Sequence, residues 1–403
     1  MTQPHGPDTG RIGGGRRTGR RQVIGALASL PLLPLLSHPA HAQSAPATPA
    51  SGTPPPPRLP APAPGVIASD FAEGFAVLQI GQQHGYIDRT GAVAIPARFD
   101  LADLFAVGLA PVSIGGSWGY IDTTGAPVIP PQFDDADGFS SWGVAPVAVA
   151  GMWGFIDRSG KFTIPPQFED ADAFDATPSV VAVSMPPPAL WAVKSGGKWG
   201  YIDRTGTFVV APQFTDALPF TSNGIAAVAI GDKWGFLDTT GALVVLPRYD
   251  EVTYTGREPF VAVRVGDRWG YADAHSGVIV IPPRFAEVGA FLNGLAPATM
   301  GDEWGYIDET GMFAVAPQFA DVTPFVLPDA TFAQSADGQY ALINRKGAPI
   351  GPGRFDDAGD FAEGLARVEA KGKVGFADGT GAVVIPLQFV PDPNGPEDVR
   401  SAR

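Results

Sequence analysis

Carboxylates are the most numerous side chains here that could do chemistry, and they cluster. Asp134, Asp135 and Asp137 form one group, Glu169, Asp170 and Asp172 a second, and Asp356, Asp357 and Asp360 a third. Oxygen-rich groups of this kind can hold Ca²⁺. Neither an EF-hand loop nor a Gly-Gly-x-Gly-x-Asp repeat surrounds them, so each reads as a solvated turn. A carboxylate pair could also hydrolyse a glycoside, yet no lone carboxylate departs from its neighbours at one place, as a catalytic group would. Gly115-Gly116-Ser117-Trp118-Gly119 matches G-x-S-x-G in letters. A nucleophile elbow needs a strand before it and a helix after it; a strand pattern follows Ser117, which reads as a turn residue. Beyond residue 42 the chain has His84 and His275 and no Cys, too few ligands for zinc without several carboxylates. The glycines form hairpins and no Walker pattern. The expectation is no catalytic residue, no cofactor and no metal.

The remaining series is aromatic. Trp118, Trp153, Trp199, Trp234, Trp269 and Trp304 each open a segment of the form Trp-Gly-Tyr/Phe-Φ-Asp. Three further copies lack the Trp, beginning at His84, Tyr340 and Val374. The central position falls at 85, 119, 154, 200, 235, 270, 305, 341 and 375. Steps close to 35 residues, with one of 46, indicate a repeat architecture. Rows of aromatics can stack on sugars, but a Trp fixed in most repeats usually packs between them. The Trp series is therefore expected in the core.

The elements that position these residues are short strands. Ala110, Val112 and Ile114 alternate at period two, as in a half-buried strand. Gly115-Gly116-Ser117 turns the chain, and Trp118 to Asp122 forms a second strand. Gly119 inside that strand marks a bulge or a close backbone approach. Asp122-Thr123-Thr124-Gly125 is a hairpin turn of the Asp-x-x-Gly type. Val128 to Phe133 is a third strand, with Ile129, Pro131 and Phe133 expected on one face. An acidic turn then leads onward. Each unit is a meander of three or four antiparallel strands that must stack on its neighbours to bury its apolar face. The fold class is all-β, a tandem array of nine ~35-residue β-meander repeats. The units either radiate as propeller blades or stack into an open β-solenoid; short four-stranded units in series favour blades.

The pattern Gly-Φ-Ala-x-Val, then Trp-Gly-Tyr/Phe-Ile-Asp-x-x-Gly, then Ile-Pro-Pro-Gln-Phe-Asp-Asp-Ala resembles the WG-repeat family of exported bacterial proteins. The resemblance covers residues 70 to about 392. It implies a repeat scaffold with no general catalytic residues. The copies at His84, Tyr340 and Val374 depart from it, as terminal repeats adapted to another environment do.

The 46-residue step holds an insertion that includes Ser184 to Trp191. Insertions in repeat proteins map to loops, often on a binding face. A Pro-stiffened loop presenting Met185, Leu190 and Trp191 is the candidate binding element, against a neutral surface insertion.

Residues 1–42 read as an export signal. Arg16-Arg17 and Arg20-Arg21 precede an apolar run from Val23 to Leu36, and Ala40-His41-Ala42 is a cleavage pattern. Gly19 to Ile24 is similar to a twin-arginine signal. Residues 43–65 form an Ala/Pro-rich tether that cannot build a core, and residues 66–403 form the β domain. No other segment is long and apolar enough to span a bilayer. The chain carries a formal charge of −14, from 27 basic and 41 acidic residues. Residues 1–42 hold five Arg and one Asp, which leaves 22 basic against 40 acidic residues and a net of −18. A surface this acidic repels nucleic acid. The expected function is an exported, non-enzymatic scaffold for a protein or peptide partner, periplasmic or secreted. The alternative is an envelope carbohydrate-binding module using the repeat aromatics, and a further one a propeller-type hydrolase.

Overall fold

In the second repeat, the strands Leu101–Ala102, Leu109–Ile114, Ser117–Asp122 and Pro127–Phe133 lie side by side in chain order as one antiparallel sheet. Gly115 and Gly116, at φ 61° and 79°, make the two-residue hairpin between the second and third strands. Both take the left-handed conformation that such a turn demands. A computed structural model describes residues 65–67, 69–171, 190–221, 224–253, 260–273 and 275–391. Among these there is no helix, and eight of the nine repeats form a four-stranded sheet of the same order. The sequence reading of an all-β array of meanders holds.

The fourth strand is irregular in a constant way. Trp118 pairs with Phe133 and Tyr120 pairs with Ile129, so two residues on one strand face four on the other. The extra length is the Pro130-Pro131 bulge. It separates the fourth strand's buried residues, Ile129 and Phe133, by four positions. Pro131 was expected on their face; it is exposed, because the bulge breaks the period-two alternation. The prolines also remove ladder donors from this edge strand, which blunts it against pairing with another chain.

Nine such sheets close into a ring, a β-propeller of nine blades. Blade 1 begins at Val66–Ile67 and blade 9 ends at Val383–Phe389. The contact between blades is repetitive. Gly125 in the third-to-fourth-strand turn of blade 2 lies against Ile95 of blade 1, and Gly160 of blade 3 against Ile129 of blade 2. The same contact closes the ring, with Gly91 of blade 1 against Ile385 of blade 9. The Val390 amide donates to the Gly65 carbonyl at 2.9 Å. Ile67, Phe71, Leu78 and Ile87 of blade 1 share one core cluster with Val374, Phe376, Ile385 and Phe389 of blade 9. Of the two arrangements open in the sequence, the closed propeller is the one formed. Blade 8 keeps three strands, Asp321–Val322, Ala330–Gln334 and Tyr340–Asn344. Its last segment is reduced to isolated bridges, Ile343 to Pro349 and Tyr340 to Phe355. There Gly351 and Gly353 replace strand-forming residues.

Candidate binding surface

The motif residues are used by the fold. Trp118 and Trp199 are buried, and Trp153, Trp234, Trp269 and Trp304 are half-buried against the core clusters. None of the six is fully exposed, although four keep part of the side chain at the surface. The Tyr two positions on is a staple between blades. Tyr120 donates its hydroxyl to the Asp137 carbonyl of the next blade at 2.7 Å, and its ring sits 4.8 Å from Phe139. Tyr86 to Asp103, Tyr201 to Leu218, Tyr271 to Gly289 and Tyr306 to Thr323 repeat the bond at 2.7–2.8 Å. Burial pushes the Tyr86, Tyr271 and Tyr306 hydroxyls well above the ordinary phenol range, so they act as permanent donors.

The turn carboxylates are equally committed. Asp122 accepts from the Thr124 hydroxyl at 2.6 Å, the Thr124 amide at 2.9 Å and the Ala126 amide at 3.0 Å. The Thr124 hydroxyl bond is the main reason its carboxyl lies below the usual carboxylate value. Asp88, Asp157, Asp203, Asp238, Asp308 and Asp378 are held the same way.

The acidic clusters divide by position. In four blades the leading carboxylate caps the hairpin of its own blade, while Asp134 of blade 3 stays exposed without that bond. Asp100 accepts from the Gly115 amide, Glu169 from Gly197, Asp250 from Gly266 and Asp356 from Lys371. The sequence reading as solvated turns missed this tether. The next carboxylate opens the first strand of its blade. Asp135, Asp170, Asp216, Glu251, Glu287, Asp321 and Asp357 occupy that one position in blades 3 through 9, each exposed or half-buried. Glu251 pairs with Arg264 at 2.9 Å and Asp357 with Arg367 at 2.8 Å. The continuity of this row was readable by aligning each repeat on the Phe or Tyr two residues before it. No group of His, Cys, Asp or Glu among the described residues could hold a metal ion.

The opposite edge is apolar in most blades; blade 3 has Thr163 there and blade 8 has no fourth strand. The second and fourth residues of the fourth strands face solvent, giving Val128, Val209, Val244, Val280 and Val384, with Leu246 the most open at 71% exposure. Ala94, Pro96, Pro130, Pro165, Ala211, Pro282 and Pro386 continue the band between them. Scattered apolar residues are normal on a surface; the same strand position left apolar in blade after blade is not.

Of the insertion, Met185 lies outside the described residues. Leu190 and Trp191 are in the interior, at 4% and 3% exposure. Trp191 opens the second strand of blade 4 and its ring lies 4.7 Å from Phe155 of blade 3. The expectation of a presented loop is thereby corrected for these two, which pack between blades because they stand where a strand begins. His84, in the Trp position of blade 1, is buried with Nδ1 2.8 Å from the Asp100 carbonyl. Ser117 opens a strand and is no nucleophile elbow.

A family model described as the WG containing repeat matches residues 85–118, 118–152, 153–176, 199–234, 234–269, 269–304, 304–326 and 340–373. No curated protein matches the chain. Among solved structures, a eukaryotic initiation factor is 15% identical at a TM-score of 0.38, covering 60% of this chain and 74% of that one. Hsv2 of Kluyveromyces lactis is 8% identical at 0.35, covering 59% and 89%. PorZ of Porphyromonas gingivalis, a surface component of a type-IX secretion system, is 9% identical at 0.32. The match covers 83% of this chain and 56% of PorZ. Likeness at this level says nothing about what this chain binds.

Proposed function

The chain belongs to the family built from the WG-containing repeat, and from that premise we propose that it is an exported, non-enzymatic scaffold that binds a protein or peptide in the cell envelope. The observation that carries the reading is the division of labour within each blade. The motif's Trp, Gly, Tyr and Asp are used in packing, turns and staples, and what remains exposed is a repeated apolar band on one edge and a repeated carboxylate on the other. Exposed apolar positions rimmed by polar groups are typical of protein-binding surfaces. The net −18 of residues 43–403 (22 basic, 40 acidic) selects a partner with basic as well as apolar residues. The carbohydrate alternative has less support, because all six motif Trp pack against the core clusters, two of them buried and four half-buried. Export rests on residues 1–42, whose Arg pairs, apolar run and cleavage pattern are an address.

The test is a crosslinking pull-down from periplasm with residues 43–403 as bait, run beside a variant carrying Val244→Lys and Leu246→Lys. A protein captured by the natural chain, released by salt and lost with the variant is the expected result. A natural-chain lane no richer than bare resin would sink the proposal. Fusion of residues 1–42 to a reporter tests export separately, and Arg20→Lys with Arg21→Lys should stop it.

A further inference from the structure

Seven of the eight Trp side chains lie in or against a core cluster, and Trp142 belongs to none. It stands half-buried in the loop that joins the first two strands of blade 3, Asp135–Ala136 and Val144–Val149. In blades 1, 2, 7 and 9 that loop reads Phe-x-x-Gly, as in Phe105-Ala106-Val107-Gly108 of blade 2. In blade 3 it is one residue longer, Phe139-Ser140-Ser141-Trp142-Gly143. The Gly143 amide donates to the Ser140 carbonyl at 2.9 Å, so the longer loop is a closed turn with Trp142 just before its left-handed glycine, at φ 77°.

Two arginines reach this loop from the turns between third and fourth strands. Arg204 of blade 4 places its guanidinium carbon 5.2 Å from the centre of the Trp142 ring. Arg158 of blade 3 places its own 5.9 Å from the Phe139 ring, and a Cβ on Gly143 would stand 3.5 Å from its Cδ. Arg158 Nη1 then donates to the Val107 carbonyl of blade 2 at 2.6 Å. Val107 is exposed and takes φ 54°, a conformation that a β-branched residue rarely adopts. The Glu73 carboxylate holds it there by accepting from the Val107 and Gly108 amides, each at 2.7 Å. Val107, Arg158, Trp142 and Arg204 thus form one strip across blades 2, 3 and 4.

The two cations are not used up within the ring. At the same turn position, Arg89 of blade 1 pairs with Glu363 at 3.3 Å, and Arg345 of blade 8 approaches Gly294 beside the Glu309 carboxylate. Among the described residues, Arg158 and Arg204 have no carboxylate partner. Their chain neighbours Asp157 and Asp203 are held in their own turns by the Ser159 and Thr205 hydroxyls. One exposed Arg is ordinary; two in successive blades, bracketing the Trp that packing does not use, are the residue types that concentrate at protein interfaces.

We propose that this strip is a second docking surface, which takes an acidic segment of a partner protein. One carboxylate meets each guanidinium, and an apolar side chain between them lies against Trp142 and Val107. The strip lies in loops and turns, apart from the fourth-strand band, and its partner has the opposite charge to the one that band selects. A net charge of −18 over residues 43–403 (22 basic, 40 acidic) repels a polyanion such as RNA. Two single carboxylates, each against its own Arg, avoid that repulsion.

The test is panning of random short peptides on the chain of residues 43–403, with the selected peptides measured against Trp142→Ala, Arg158→Ala and Arg204→Ala. The expected result is a class in which Asp or Glu flank an apolar residue, weakened about tenfold or more by each Arg change. Arg204→Lys should restore only part of that loss, since Lys keeps the charge without the fork. Val244→Lys with Leu246→Lys, which acts on the fourth-strand band, should not weaken this class, so either surface can fail while the other stands. Absence of an acidic class overturns the proposal. So do acidic peptides that bind all variants alike, or a strip that selects basic peptides, inorganic phosphate or RNA instead. If Arg158→Ala does not fold for want of its Val107 bond, Arg204→Ala decides, because that side chain makes no hydrogen bond among the described residues.

Discussion

A Cβ atom on Gly119 would stand 2.5 Å from the carbonyl oxygen of Ile129 and 2.7 Å from the Pro131 nitrogen. The same glycine meets the same bulged backbone in seven of the other eight blades: Gly85 against Ile95, Gly154 against Ile164, Gly200 against Val210, Gly235 against Val245, Gly270 against Ile281, Gly305 against Val315 and Gly375 against Ile385; blade 8, which has no fourth strand, carries Ala341 there. The bulge lets two residues of the third strand face four of the fourth, and it folds the fourth strand's backbone onto the third. Only a residue without a side chain admits it.

Gly119→Ala is therefore expected to cost about 3 kcal/mol or more, because the obstructing atoms are backbone and have no rotamer by which to retreat. Gly116→Ala is the control. Gly116 has φ 79° and nothing within 4 Å of its missing Cβ, so that change costs only the left-handed strain of about 1 kcal/mol. Denaturant unfolding of the two variants should rank them in that order. Equal losses would mean that the close approach is not what demands glycine.

Tyr120→Phe should cost about 1–2 kcal/mol by leaving the Asp137 carbonyl without this donor in a buried junction. Blades 3, 5 and 9 carry Phe155, Phe236 and Phe376 at that position, so the ring alone suffices for folding and the hydroxyl adds rigidity. The expected sign is lower stability with unchanged far-ultraviolet circular dichroism; an unchanged midpoint would show the staple to be replaceable by water.

The Asx-turn carboxylates set the acid limit. Asp122, Asp157, Asp203, Asp238 and Asp308 all lie below the usual carboxylate value, chiefly through the Thr or Ser hydroxyl each accepts. Their folded values are depressed, so the stability they lend is complete above the unfolded value and is lost as pH falls through the folded one. The melting temperature should therefore drop steadily below about pH 4. Thr124→Val and Thr240→Val, which remove the hydroxyl donors, should reduce that drop. An acid limb of unchanged steepness would assign it to other carboxylates.

The repeat, its strands, its turns and the packing of the Trp series against the core, complete at Trp118 and Trp199 and partial at the other four, were legible because each rests on local chemistry: period-two alternation, hairpin glycines, an Asp that caps its own turn. What was hidden is non-local. Gly119 could be read as a point of close approach, but not that the approaching backbone is the fourth strand of its own sheet, which exists only once Pro130 and Pro131 bulge. Trp191 was read as a loop residue because the preceding prolines hide the strand start, whereas Phe155 of the preceding blade is what buries it. Ring closure was undecided for the same reason. The contact of Gly91 on Ile385 joins residues almost 300 apart, and it shows only when the first and last repeats are compared as neighbours.

That contact leads to the last prediction. The Gly-on-Ile packing between blade 9 and blade 1 is the one found at the junctions crossed by continuous chain, so the ring should not depend on where the chain is cut. A circular permutant that joins residue 391 to residue 65 through a short flexible linker, with new termini at Asp134 and Phe133, exchanges one covalent junction for another. It is expected to fold with native circular dichroism and to melt within a few degrees of the natural chain, since loop closure over a short linker costs little. Removal of blade 9, residues 357–391, is the counterpart. It would strip Val374, Phe376, Ile385 and Phe389 from the shared cluster and leave Ile67, Phe71, Leu78 and Ile87 facing water. Burial of a side chain of that size is worth about 1.5–3 kcal/mol, so blade 1 should lose its hydrogen-exchange protection and the truncated chain should aggregate. An open array of stacked meanders would behave in the opposite way, tolerating loss of the terminal repeat and failing on permutation, because its two ends would have nothing to do with each other.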